Sequence, residues 1–291
     1  MMDMASHEGQ KPGAIVEGFV PTDDDVKLRY TDCGCGPPVV FVHGWQSSSR
    51  VWRPSVEVLA RTCRVVTYDQ RGHGRSTEAE AGWTVHRLAR DLERLLDALD
   101  LSGTTLVGHS MGCSVIWAYL ELFGSARASR LVFVDQSPTM IFDPVWDQDT
   151  IDAAGALFSD QQLRSLCRGL ADPEARPRVV RDIATGMVSP GQPALVDQLV
   201  TTALRVDGDF AAALLFNHAH QDWRRQIVHI DLPTLVVAGE ASVVPVSGSQ
   251  WIAGAIDGAR LEIFGPDEGG SHLLPVENPD KLAPLLVDFI A

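Results

Sequence analysis

The chain has 291 residues, 45% of them hydrophobic and 21% charged, with a formal net charge of −14 at pH 7. That length holds two average domains or one large α/β domain with an insertion, and the composition is that of an ordinary globular protein. The negative charge argues against nucleic acid and anionic membrane surfaces as partners, so a small-molecule substrate is expected.

From the N-terminus, Met1–Gly13 has neither a basic start nor an apolar run, so no signal peptide is expected. No stretch approaches the roughly 20 apolar residues that span a bilayer. The five cysteines (Cys33, Cys35, Cys63, Cys113, Cys167) are odd in number and lack paired C-x-x-C spacing. Reduced thiols and a cytoplasmic protein follow as expectations. Cys33-Gly-Cys35 reads as a turn between two strands rather than half of a metal site.

Short apolar, β-branched runs predict strands at Val39–Val42, Val65–Tyr68, Thr104–Val107, Leu131–Val134 and Thr234–Val237. Between them, apolar spacing near 3.6 predicts helices over Val51–Ala60, Val85–Leu99 and Met111–Phe123. After Pro138 the alternation stops. Helical and loop-like text, punctuated by prolines, runs to about His229. A strand at Arg260–Phe264 and a helix at Pro279–Ile290 finish the chain. The expected architecture is α/β, a mostly parallel doubly wound sheet in two sequence parts, residues 1–138 and 230–291, with a helical cap at 139–229.

Gly108-His109-Ser110-Met111-Gly112 follows one predicted strand directly and opens a helix. In that setting G-x-S-x-G forms a nucleophile elbow, the glycines letting the backbone fold back and present the serine hydroxyl. A serine hydroxyl is a weak nucleophile near neutral pH, so it needs a base within hydrogen-bond reach and an acid to orient that base. His272, in the loop between the last strand and the last helix, sits at the sheet edge where the elbow opens. Away from the elbow it would read as a surface histidine.

With Phe41-Val42-His43-Gly44-Trp45 after one strand and Tyr68-Asp69-Gln70-Arg71-Gly72-His73-Gly74-Arg75-Ser76 after the next, the chain resembles the α/β-hydrolase superfamily from about residue 26 onward, outside the cap. The resemblance implies the order Ser, acid, His. It also exposes a departure: where most members carry the acid, this chain reads Gly239-Glu240-Ala241-Ser242, with serine in the aspartate's place. A subset, including haloalkane dehalogenases and cofactor-independent quinolone dioxygenases, places the acid after the earlier strand. Here that is Asp135, which is assigned as the orienting acid, with Glu240 as its rival.

The resemblance further implies an oxyanion hole from the backbone N–H groups of Trp45 and Met111, for which side-chain identity matters little. His43 shapes the loop and is also a candidate substrate contact. Arg71 and His73 hold a turn. In the cap, Trp146, Phe158, Phe216, His218 and Trp223 are candidates to line a pocket, and His218-x-His220 is too sparse for a metal site. The expected activity is acyl transfer on an ester, lactone or thioester of a mid-sized, largely apolar substrate, without metal or cofactor. A cofactor-independent dioxygenase acting on a 3-hydroxy-4-quinolone and a non-catalytic binding protein are the alternatives. Oligomeric state, a homodimer included, stays open.

Overall fold

The computed structural model describes residues 15–291; the Met1–Gly13 stretch considered above lies outside them and carries no structural account. Eight strands form one sheet: β1 (Val16–Pro21), β2 (Lys27–Cys33), β3 (Pro38–Val42), β4 (Arg64–Tyr68), β5 (Thr104–His109), β6 (Ala128–Val134), β7 (Thr234–Gly239) and β8 (Arg260–Phe264). Their spatial order is β1-β2-β4-β3-β5-β6-β7-β8. The first two strands pair antiparallel, β2 pairs antiparallel with β4, and all remaining neighbours are parallel.

Continuous apolar runs in the parallel strands arise because both faces are covered. Along β3, Val39 and Phe41 join one buried cluster and Val40 and Val42 the other. On the first face pack α1 (Arg53–Leu59), through Leu59, and α12 (Pro279–Ile290), through Leu282, Leu286 and Ile290. On the second lie α2 (Val85–Ala98), with Leu88, Leu92, Leu95 and Leu96 at helical spacing, and α3 (Met111–Phe123). The side chain of Thr84 caps α2 by accepting from Arg87 N–H, which replaces one of the helix's orphan donor contacts.

Between β6 and β7 stand α4 (Gln148–Ala154), α5 (Asp160–Ala171), α6 (Arg176–Met187), α7 (Pro193–Ala203), α8 (Gly208–Ala219) and the short α9 (Arg224–Ile227). The segment carries an apolar cluster of its own, with Leu163, Leu170, Val180, Val200 and Leu215. Its entry and exit are joined where Thr139 pairs with Asp222 and Trp223 N–H donates to the Pro138 carbonyl. Helix α10 (Val246–Ala255), not recognised from sequence, and the short α11 (Leu274–Glu277) complete the fold. No helix among the described residues is long and apolar enough to cross a membrane.

The chain leaves β3 toward β4 on one side and returns to β5 on the other. Carboxyl ends diverge at such a switch point and open a crevice there. The loop after β3 and the turn after β5 flank this crevice.

Candidate active site

Ser110 occupies the turn between β5 and α3 with φ 55° and ψ −128°. A non-glycine residue held there costs roughly 1–3 kcal/mol, so the surroundings must enforce it. They do so by close approach: a Cβ on Gly112 would lie 2.2 Å from the Val42 carbonyl oxygen, and one on Gly108 2.7 Å from Cys113 N. Ser110 N–H donates to the Val134 carbonyl at 3.0 Å, pinning the turn to β6.

His272 Nε2 accepts from the Ser110 hydroxyl at 3.0 Å, and its Nδ1–H donates to Asp135 Oδ2 at 2.7 Å. Histidine and aspartate are both buried, at 4% and 1% exposure. Asp135, at φ 53° just past β6, receives two further donors, Gly239 N–H on Oδ1 at 2.9 Å and the Ser242 hydroxyl on Oδ2. Val244 N–H in turn donates to Ser242 Oγ at 3.0 Å. The serine in the position of the expected aspartate therefore supports the displaced acid. Glu240 is exposed and makes no bond to His272, because β7 turns its side chain out toward Gly265. The rival assignment is corrected on that ground.

The middle residue of the elbow, His109, was given no role from sequence. Its Nε2–H donates to the His272 carbonyl at 2.7 Å, and the two rings lie 4.9 Å apart. Burial, with His272 alongside, pushes the His109 imidazole down to about 3, so it stays neutral and holds the backbone of His272.

Two more neutral imidazoles fix the loop after β3. His43 Nδ1–H donates to the Gly44 carbonyl at 2.8 Å while Nε2 accepts from Gln70 N–H at 3.0 Å. His73 Nδ1–H donates to the Arg71 carbonyl and its Nε2 accepts from Gln46 N–H at 3.1 Å. A carbonyl at one nitrogen and an N–H at the other admit a single neutral tautomer for each ring. Burial lowers both pKa values, that of His73 to about 3. The loop they hold carries Trp45. Among the described residues neither Trp45 N–H nor Met111 N–H, the two donors flanking Ser110, has an acceptor.

The pocket over Ser110 has two lobes that share Trp45, Ser110, Ile183, Met187 and His272. The smaller, about 60 Å³, is walled by Val180, Ala184, Leu199 and Ala203. The larger, about 430 Å³, is walled by Met140, Leu157, Phe158, Leu166 and Leu215, with Gln136 and His218 as buried polar groups. Trp45 contributes more than its backbone: its indole N–H donates to the Ala211 carbonyl of α8 at 2.9 Å.

Of the residues expected from sequence to line the pocket, Phe158 and His218 do so. Trp146 instead lies beneath the Arg224 guanidinium, 4.4 Å from the ring centre. Trp223 is core, packed between Trp117 and His86. Phe216 packs against His220 and under Arg164, and His43 is wholly buried behind the loop. These four are corrected to packing roles. His220 bonds the Phe216 carbonyl and faces Asp160, apart from His218. No group of three or more His, Cys, Asp or Glu suited to a metal ion occurs among the described residues.

The model of the alpha/beta hydrolase fold family matches residues 37–267. Over 271 residues the chain is 30% identical to the non-heme chloroperoxidase CPO-A1 of Kitasatospora aureofaciens, covering 89% of this chain and 94% of that protein. It is 26% identical over 260 residues to 3-oxoadipate enol-lactonase 1 of Acinetobacter baylyi, covering 87% and 88%. The solved structure of an esterase from Exiguobacterium antarcticum superposes with a TM-score of 0.85 at 22% identity, over 94% of this chain and 99% of that one.

Proposed function

Since the chain belongs to the α/β-hydrolase fold family and is an enzyme of that family, we propose that it cleaves an ester or lactone through an acyl-enzyme on Ser110. The observation that carries the reading is the unbroken hydrogen-bonded line from Ser110 Oγ through His272 to Asp135, beside two N–H donors without acceptors. A thioester fits the same chemistry.

As Ser110 Oγ attacks the carbonyl carbon, its proton passes to His272 Nε2. The imidazolium that forms keeps its Nδ1 proton on Asp135. The carbonyl oxygen, now carrying the negative charge, accepts from Trp45 and Met111 N–H, each such donor typically contributing about 3 kcal/mol. Collapse returns the Nε2 proton to the leaving oxygen. Water then attacks the acyl-enzyme, His272 taking its proton, and the acid leaves. An acyl-enzyme is equally open to hydrogen peroxide, which would yield a peracid and the free serine. The chloroperoxidase name of one relative favours including that acceptor. The resemblance to quinolone dioxygenases gains no support from these relatives.

Residues 139–229 would serve as the cap. Its apolar walls suit a mid-sized substrate with one short group in the smaller lobe and the bulk in the larger. Incubation with a fluorophosphonate probe and an activated p-nitrophenyl ester tests the reading. Adduct mass on Ser110 and ester turnover are expected; a folded protein that does neither would overturn it.

A further inference from the structure

Helix α8 turns one polar side chain toward the larger lobe. His218 is 3% exposed, and its Nδ1 has no hydrogen-bond partner among the described residues. It lies among Met140, Leu157, Phe158, Leu166 and Leu215, three residues after Leu215 and so on the same helical face. Every other imidazole around the pocket bonds a backbone or side-chain group through at least one nitrogen. Buried polar groups without partners are rare because they lose water's hydrogen bonds and gain none. In a pocket, the missing partner is most simply the ligand.

We propose that His218 is a specificity-determining residue, whose imidazole hydrogen-bonds an uncharged polar group, a hydroxyl, amide or carbonyl, on the part of the substrate filling the larger lobe. The inference rests on the reading of Ser110 as the nucleophile of an ester or lactone hydrolase. An uncharged group is specified because burial holds the His218 pKa down to about 3, and Asp182, the carboxylate lining the same lobe, is exposed and does not restore the charge. A neutral ring offers one donor and one acceptor. It has no charge with which to offset the desolvation of a carboxylate or an ammonium group. The apolar wall around it binds the carbon skeleton, and the ring then selects where along that skeleton an oxygen or nitrogen sits.

Matched esters test this, with a hydroxyl or amide moved stepwise along the acyl chain in one series and along the alcohol in another, each against its plain alkyl counterpart. Wild type is expected to favour at least one polar ester by roughly tenfold to a hundredfold in kcat/KM, the range that corresponds to leaving one buried neutral polar group unpaired. In His218→Phe that preference should vanish, while the plain alkyl esters and the rate of fluorophosphonate labelling at Ser110 stay within about threefold. His218→Gln should keep part of it, and serves if the phenylalanine variant does not fold. Absence of any polar preference in wild type, or an equal loss on polar and alkyl esters in the variants, overturns the inference while the hydrolase reading stands. Failure of wild type to turn over any ester or to label at Ser110 removes both.

Discussion

The floor of the pocket, at the carboxyl edge of the sheet, and its roof, in residues 139–229, differ in how far their polar side chains are paired. On the floor, His43, His73 and His272 each use both ring nitrogens, and Asp135 accepts from three donors. The roof is a mostly apolar wall in which Asp182 is exposed and the buried polar side chain, His218, bonds nothing on Nδ1. The bonded line from Ser110 through His272 to Asp135 holds those three groups in one geometry before substrate arrives, which is what catalysis by preorganised dipoles requires. A wall whose buried imidazole is open commits to no geometry until a ligand completes it. The floor is thus suited to the reaction common to many substrates and the roof to the choice among them.

Breaking the floor should have the largest effects. Ser110→Ala removes the attacking oxygen, and turnover should fall by a factor on the order of 10⁶ with no adduct formed. Asp135→Asn keeps the shape but denies His272 a carboxylate, and about 10⁴ in kcat is expected to go. Glu240→Gln, on an exposed side chain with no bond to His272, should leave kcat unchanged. A loss in Glu240→Gln matching that in Asp135→Asn would mean that the acid had been misassigned. The p-nitrophenyl ester assay reads all three.

The same division governs what the sequence made legible. Strands buried on both faces announce themselves as unbroken apolar runs, and Gly108, Ser110 and Gly112 encode a local turn whose geometry needs no distant information. Floor residues sit at fixed offsets from those runs, so Ser110, His272 and Asp135 could be named. Support from Ser242 and His109 was missed because it depends on contacts across more than a hundred residues of chain. Helix α10 escaped because its run is rich in small residues, one of which, Gly248, lies so close to Ser137 that a Cβ would fall 2.4 Å from that hydroxyl. In the roof, the rotation of each helix decides whether an aromatic meets solvent, core or pocket. Trp146 and Trp223 were therefore indistinguishable from Phe158 by sequence.

Acid stability sharpens the contrast further. His73 and His109 on the floor and His218 in the roof are all held to about 3 in the folded protein, against about 6.5 when unfolded. Below pH 6.5 the unfolded chain therefore binds protons that the folded one refuses. Each of these groups should weaken folding by about 1.4 kcal/mol per pH unit, down to about pH 3. Stability rises with pH across that window and flattens above it. Urea midpoints at pH 7, 6 and 5 should fall steeply, and His218→Phe should fall less steeply by one histidine's share. An unchanged slope would mean that the ring is already protonated in its cavity.

The smallest loss of activity expected comes from Ser242, and it probes how the floor accommodates a displaced acid. Its hydroxyl and His272 Nδ1–H converge on the same oxygen of Asp135. Ser242→Ala removes one of three donors to that carboxylate, and hydrogen bonds to charged groups contribute about 1.5–3 kcal/mol to the state they hold. Gly239 N–H and His272 remain, so the carboxylate stays in place but less firmly, and kcat should drop about tenfold at the low end of that range, with KM unchanged. The geometry also predicts a rescue. An aspartate side chain extends one bond beyond a serine oxygen, so a carboxylate at 242 would reach toward the space now filled by Asp135 Oδ2. Asp135→Asn combined with Ser242→Asp should recover part of the activity lost in Asp135→Asn alone. If a folded double variant recovers none, position 242 supports the acid only as a donor, and the two placements of the acid are not interchangeable in this fold.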